Sequence, residues 1–225
     1  MSPVLRARGL ERRYPAPGGA VVALGGVDLD LVPGELTVVT GRSGAGKSTL
    51  LALLAGLDEP DGGWIELDGV RVDELPRAER ERRFAARTAS IFQDFGLIPV
   101  LSAAENVEVP LRLRRAPRPE REARVAAVLA DVGLAEHADQ RPAELSGGQQ
   151  QRVGVARALV AAPGILLADE PTGQLDSTTG AAIMDLLVAA VHGQGLAGVV
   201  ATHDAALVAR ADRVLHLRDG RFVAP

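Results

Sequence analysis

The feature that most constrains this chain is the stretch TGRSGAGKST, residues 40–49, together with what stands on either side of it. The residues before it, 35–40, form a short run rich in β-branched side chains, which predicts a strand. The residues after it, 48–55, are good helix formers closed by Gly56, which predicts a helix. A strand, a glycine loop and a helix in this order favour an α/β fold.

The loop itself has the residue types of a phosphate-binding site. Its glycines let the backbone approach phosphates, and successive N–H groups at a helix N-terminus form an anion nest. Lys47 is expected to reach the β- and γ-phosphates of a nucleotide, and Ser48 to hold Mg²⁺. A chance glycine-rich turn is the alternative, which the strand–loop–helix context disfavours. The predicted loop residues are Gly41, Arg42, Ser43, Gly44, Ala45, Gly46, Lys47, Ser48 and Thr49.

Lys47 is the only lysine in the chain, and arginine occupies every other Lys/Arg position. A GC-rich codon bias accounts for the arginines, but it does not explain why one lysine is retained. We interpret Lys47 as retained for its chemistry.

The composition excludes several classes of protein. The 225 residues suit one large domain, and the net charge of −4 gives no reason to expect a nucleic-acid partner. The absence of cysteine excludes disulfides and thiolate chemistry. No signal-peptide core and no apolar run of about 18 residues is found, so we expect no direct membrane insertion. Any action at a membrane is then expected to require a partner.

Two continuous apolar runs, residues 164–168 and 198–201, predict strands buried on both faces of a parallel sheet. Each run ends in polar residues, Asp169-Glu170 and residues 202–204. Ligands of open α/β sheets bind beyond the carboxyl ends of the strands. Asp169 is expected to hold magnesium through water, and Glu170 to polarise an attacking water. An ordinary acidic cap is the alternative.

Other segments predict two additions to this core. Residues 64–72 and 214–223 each alternate about an Asp-Gly pair, which indicates two hairpins and an antiparallel piece beside the parallel sheet. No buried strand is evident between residues 97 and 145, so a helical lobe inserted in the core is expected. The mixed charges of residues 77–87 predict a solvated helix face.

A second candidate anion site follows in LSGGQQQR, residues 145–152, where Ser146, Gly147 and Gly148 precede a helix. One γ-phosphate can be pinned both here and at Lys47 only if the two sites come from two chains. A simple serine N-cap is the alternative, although it does not require the glycine pair.

This last motif resembles the signature of ATP-binding-cassette ATPases, and other motifs from residue 4 to residue 223 agree. GRSGAGKS resembles Walker A, and ILLADEP resembles Walker B with Glu170 as its catalytic residue. Gln93 in IFQDF resembles the Q-loop glutamine and His203 the switch histidine. Residues 174–176 resemble the D-loop, although many members have Asn or Ala at the position of Gln174.

The resemblance implies a P-loop NTPase (RecA-like) fold of class α/β, in which a parallel-sheet core carries an antiparallel β subdomain and an inserted α-helical subdomain. It implies one domain over residues 1–225, with the core and β subdomain in 1–95 and 155–225 and the helical subdomain in 96–154. Two copies, or this chain and a homologous subunit, would bind two ATP head-to-tail.

The resemblance also assigns roles in that dimer. Tyr14 is expected to stack on adenine, or else is a surface aromatic. Ser48 and Gln93 are expected to ligate Mg²⁺ with Asp169 behind them, while His203 contacts the γ-phosphate. The partner's ATP is expected to meet the signature residues Ser146, Gly147, Gly148 and Gln149.

Within the family, residues 95–111 and the compact length resemble the lipoprotein-release and macrolide-export group. This implies an ATPase subunit on the cytoplasmic face of the cell membrane, bound peripherally to a permease that docks after Gln93. A cell-division-type cassette without transport is the alternative. Soluble cassettes of translation, repair or cluster assembly fit less well, because this chain has neither a second cassette nor a coiled-coil insertion. A P-loop kinase or GTPase does not explain LSGGQ.

Overall fold

A computed structural model describes residues 2–17 and 19–223. Within these ranges the strands are β1 Leu5–Ala16, β2 Gly19–Leu31, β3 Leu36–Thr40, β4 Gly62–Leu67, β5 Val70–Arg71, β6 Thr88–Ile91, β7 Ile165–Asp169, β8 Ala197–Ala201, β9 Arg213–Arg218 and β10 Arg221–Val223. The α-helices are α1 Lys47–Leu54, α2 Arg77–Arg87, α3 Ala103–Leu113, α4 Arg118–Asp131, α5 Gly147–Leu159, α6 Ser177–Gln194 and α7 Ala205–Val208. None of these helices has the length and apolarity needed to cross a bilayer.

The larger sheet has six strands in the order β10-β9-β3-β8-β7-β6. The strands from β9 to β6 run parallel, and β10 adds antiparallel to the edge strand β9. The predicted strands before the glycine loop and at the two apolar runs are confirmed as β3, β7 and β8, which lie side by side. Their carboxyl ends therefore meet at one edge of the sheet.

The smaller sheet has four strands in the order β2-β1-β4-β5, and all its pairings are antiparallel. Of the two predicted hairpins, only the one predicted at residues 64–72 lies in this sheet, where it forms β4 and β5. The C-terminal hairpin instead closes the edge of the parallel sheet, because β9 pairs in parallel with β3. The expectation that both hairpins mark the antiparallel piece was wrong for the second.

Most of the antiparallel sheet comes from the long hairpin of β1 and β2, which was not predicted from the sequence motifs. Its signal is clearest over residues 27–31, where Val27, Leu29 and Leu31 are buried and the intervening aspartates face outward. This alternation is typical of a sheet with one face on a core. The hairpin brings the carbonyl of Ala23 close to Gly46 of the glycine loop.

Helix α5 belongs to two hydrophobic cores. Val155 and Ala158 pack in the core under the parallel sheet. Val153, Ala156 and Val160 pack in a second core with α3 and α4, which form the helical lobe. The predicted boundary between residues 154 and 155 therefore falls inside a continuous helix that both lobes share.

Candidate functional site

The glycine loop, residues 41–46, follows β3 and leads into α1, whose N-cap is Gly46. Gly46 has φ = 104°, a conformation that favours glycine, and a Cβ on it would lie 2.3 Å from the carbonyl oxygen of Ala23. Gly41 is equally confined, because its Cβ would lie 2.3 Å from the carbonyl oxygen of Leu217. These contacts come from β2 and β9, so tertiary packing sets the shape of the loop.

The loop borders a cavity of about 550 Å³ at the carboxyl ends of the parallel strands. This size is suited to a nucleotide-sized ligand. Every residue predicted from the loop motif lines the cavity, together with five further predicted residues, one of which is the aromatic of β1. These lining residues are Gly41 to Thr49, Gln93, Asp169, Glu170, His203 and Tyr14.

Lys47 lies in the wall of this cavity. Its ammonium donates a hydrogen bond to the carbonyl oxygen of Gly41 at 2.8 Å and lies 3.8 Å from the Glu170 carboxylate. Only 11% of the Lys47 side chain and 14% of the Glu170 side chain are exposed. A mostly buried ammonium can therefore neutralise phosphate charge beside a mostly buried carboxylate.

Glu170 is held in one orientation by its neighbours. The hydroxyl of Thr202 donates to its carboxylate at 3.2 Å, and Nδ1 of His203 lies 3.0 Å from Oε2. Its backbone has φ = 44°, a left-handed conformation that is uncommon for a residue with a side chain. Such strain is typical of functional positions whose geometry the surroundings impose. Thr202 was not predicted, and its place at the end of β8 was its only signal.

Three oxygen donors that the sequence predicts as metal ligands share the same wall. They are the Ser48 hydroxyl, the Gln93 amide and the Asp169 carboxylate. Hard oxygen donors of this kind, few in number, are what Mg²⁺ uses when phosphates of a substrate supply other ligands. Within residues 2–17 and 19–223, no group of three or more His, Cys, Asp or Glu side chains that could hold a metal ion is present.

Tyr14 lies in β1 at the rim of the cavity. Its hydroxyl donates to Asp58 at 2.7 Å, and Arg12 lies 4.9 Å from its ring centroid. Burial raises the pKa of the Asp58 carboxyl, but hydrogen bonds from Tyr14, the Glu59 N–H and Arg12 outweigh burial and hold this pKa below its ordinary value. The Asp58 carboxylate thus fixes the hydroxyl end of the Tyr14 side chain, and Tyr14 also lines the cavity.

The signature residues do not line this cavity in the described part of the chain. Ser146 is the N-cap of α5, where its hydroxyl accepts from the Gln149 N–H at 3.3 Å and its own N–H donates to the Gln149 side chain at 2.8 Å. The Gln149 amide nitrogen also lies 3.1 Å from Nε2 of His137, a contact that the sequence did not indicate. One chain therefore supplies the two predicted anion sites at separate places.

Comparison with known proteins identifies the family. The family model described as "ABC transporter" matches residues 24–173. The chain belongs to the ATP-binding-cassette family. The predicted ATP-binding P-loop NTPase fold and ATPase class are confirmed by this match and by the relatives and solved structures described next.

Several relatives of the cassette match nearly all of its length. LolD of Pseudomonas fluorescens, a "lipoprotein-releasing system ATP-binding protein", is 43% identical over 221 residues, 98% of this chain and 97% of that protein. MacB of Rhodopseudomonas palustris, a "macrolide export ATP-binding/permease protein", is 42% identical over 98% of this chain but only 34% of that longer protein. The predicted subgroup is confirmed.

The cassette also resembles solved structures. A dimeric post-hydrolysis state of the ATP-binding cassette MJ0796, bound to ADP and Pi, has a TM-score of 0.91 and 37% identity, covering 98% of this chain and 97% of that one. Another dimeric structure of MJ0796 gives the same values.

Replacement of Gly46 by alanine is expected to weaken ATP binding of the cassette by about tenfold or more, because backbone strain of about 1–3 kcal/mol is joined by a clash with Ala23. Gly44→Ala is the matched control, since Gly44 also has a positive φ of 78° but open space around its Cβ. Calorimetric titration with ATP measures both variants. Equal affinities would show that the contact with Ala23 is unimportant.

Proposed function

We propose that the chain is the ATP-hydrolysing subunit of an export or release transporter, driving a membrane permease for lipoprotein, peptide or drug. The observation that carries this is the arrangement of Lys47, Glu170 and His203 around one cavity, with Ser146 elsewhere in the same chain. The relatives named for lipoprotein release and macrolide export support the class of cargo.

The proposed active unit is a head-to-tail dimer of two copies, or of this chain and a homologue, around two ATP. Each ATP would bind the glycine loop of one chain and the N-terminus of α5, Ser146 to Gln149, of the other. Backbone N–H groups at a helix N-terminus stabilise phosphate charge. The dimeric state of the MJ0796 cassette supports this arrangement.

Within this unit each cavity residue has a proposed role. Lys47 neutralises charge on the β- and γ-phosphates, Glu170 orients the attacking water and accepts its proton, and His203 contacts the γ-phosphate. The contacts of Glu170 with Thr202 and His203 keep its carboxylate directed into the cavity. Ser48 and Gln93 would hold Mg²⁺, with Asp169 behind them. When bound, that ion supplies positive charge to the phosphate oxygens.

We further propose that the chain lies on the cytoplasmic face of the cell membrane, bound to its permease. The single cassette domain would divide into a core with its β subdomain, residues 1–95 and 155–225, and a helical subdomain, residues 96–154. The core that α3 and α4 share with the end of α5 supports a helical subdomain, and it includes Ala156, which lies beyond the proposed boundary at residue 154.

Purification from membranes under mild detergent tests the function. We expect a large permease with an extracytoplasmic domain to co-purify with the chain and to stimulate its ATPase activity. Recovery of a short division-type membrane protein instead would support the cell-division alternative. Recovery of no membrane protein would refute the transport proposal.

Tyr14→Ala is expected to weaken ATP binding by about tenfold, because stacking of a base on an aromatic ring contributes about 1–3 kcal/mol. Tyr14→Phe is the control, since it keeps the ring and removes only the hydrogen bond to Asp58. Titration with ATP distinguishes the two. If the alanine variant binds as tightly as the wild type, Tyr14 is a surface aromatic held by Asp58.

A further inference from the structure

The helix that begins with the signature motif also holds the segment that follows Gln93. Arg157, near the end of α5, donates through Nη1 to the carbonyl oxygen of Gly96 at 2.6 Å and through Nη2 to that of Phe95 at 3.0 Å. Both acceptors are backbone atoms two and three residues after Gln93. This contact joins α5 to the predicted Q-loop of the same chain.

The segment needs such support, because its backbone is unusual. Phe95 and Gly96 have consecutive positive φ values of 61° and 56°. For Phe95, which has a side chain, this left-handed conformation is unfavourable, and it persists only where the surroundings impose it. The N–H of Gly96 closes the turn on the carbonyl oxygen of Asp94 at 2.7 Å. The guanidinium holds the two carbonyls that this turn presents.

Arg157 is committed to this contact. It is half-buried, and within the described ranges no carboxylate lies within 4.0 Å of its guanidinium. Burial lowers the pKa of the Arg157 guanidinium below the ordinary value for arginine. A planar fork with two donors suits two adjacent carbonyls, whereas an ammonium is a single point charge.

A second contact from α5 reaches the segment that contains Glu170. Gln151 is 1% exposed, and its amide donates to the carbonyl oxygen of Pro171 at 2.7 Å. Pro171 directly follows Glu170. Side chains of α5 therefore donate hydrogen bonds to the residue that follows Glu170 and to the second and third residues after Gln93.

We infer that Arg157 is a positioning residue, which fixes the turn at Phe95–Gly96 and thereby presents Gln93 to the nucleotide of its own chain. The inference rests on the proposed function for the role of Gln93. It gives α5 a task within its own chain, in addition to presenting Ser146 to a partner.

The test compares Arg157→Met with a matched control, Arg114→Met, in the full chain. Arg114 also donates only to backbone carbonyls, of Ala161, Ala85 and Ala86, and burial together with Arg124 lowers its pKa. It therefore shares the chemistry of Arg157 but does not contact the segment after Gln93. Arg157→Lys serves as the conservative variant, and it covers the case in which Arg157→Met does not fold.

The first readout is amide hydrogen exchange of residues 93–97, which requires neither ATP nor metal. We expect at least about tenfold faster exchange there in Arg157→Met, with partial recovery in Arg157→Lys and no change in Arg114→Met. Unchanged exchange at residues 93–97 in folded Arg157→Met or Arg157→Lys would overturn the inference.

The second readout is ATP turnover as a function of Mg²⁺ concentration. Loss of an outer partner of a metal ligand costs about 10–100-fold in metal affinity or activity. We expect a loss of this size in Arg157→Met, and we expect Arg157→Met combined with Gln93→Ala to lose no more than Gln93→Ala alone. Additive losses would show that Arg157 acts independently of Gln93 and would overturn the inference. Failure of the proposed role of Gln93 is distinguishable, because Gln93→Ala alone would then leave ATP turnover and its Mg²⁺ dependence unchanged.

Discussion

Glu170→Gln is expected to bind ATP normally and to lower its turnover by about 10²–10⁴, the scale for losing a general base. The amide has the shape of the carboxylate and can still accept from Thr202, so the geometry of the site should survive. It cannot take up a proton from water. Steady-state ATP hydrolysis and ATP titration measure the two quantities separately.

The same variant is expected to accumulate as an ATP-bound dimer, because closure on ATP is no longer followed by hydrolysis. Size-exclusion chromatography with and without ATP would show this. Glu66→Gln is the matched control, since it neutralises a half-buried carboxylate that pairs with Arg6 away from the cavity. It should hydrolyse ATP like the wild type. Full ATPase activity in Glu170→Gln would remove Glu170 from the catalytic role.

Lys47→Arg is expected to abolish hydrolysis, a loss of at least about a hundredfold, which is the scale for removing one preorganised donor from a charge-stabilising site. The ammonium fits between the Gly41 carbonyl and Glu170 with 11% of the side chain exposed. A guanidinium is wider and prefers two parallel acceptors. The positive charge alone should therefore not suffice.

Lys47→Met provides the comparison, because it removes the charge and keeps a flexible, unbranched side chain. Similar losses in both variants would show that the shape of the cation matters as much as its charge. Thermal unfolding checks that both proteins are folded. A turnover near the wild-type value in Lys47→Arg would mean that the one lysine of the chain was retained by accident.

The residues of the cavity could be predicted because the chemistry is encoded locally. The loop around Lys47 has its function encoded in the spacing of its glycines. Glu170 directly follows the buried strand β7, and His203 comes two residues after the buried strand β8. Parallel strands bring residues that follow them to one edge of the sheet. The proximity of Glu170 and His203 to the loop could therefore be predicted without knowledge of distant contacts.

The features of the fold and the site that were not predicted depend on contacts between segments distant in the sequence. The confinement of Gly46 by Ala23 requires the β1–β2 hairpin, and the second hairpin joined the parallel sheet because β9 pairs with β3. Arg157 gives no local signal either, since its acceptors are backbone atoms about 60 residues earlier. Arginine bonded to carbonyls cannot be distinguished by sequence from arginine in solvent.

The separation of Ser146 from the cavity has a consequence for the reaction order. If each cavity is completed by the Ser146 of another chain, the hydrolysis rate of the free protein rises with the square of its concentration while dimers are scarce. A permease that holds two cassettes side by side replaces this encounter with a high effective concentration. Unassembled subunits would then hydrolyse little ATP, so ATP hydrolysis would be confined to complete transporter complexes.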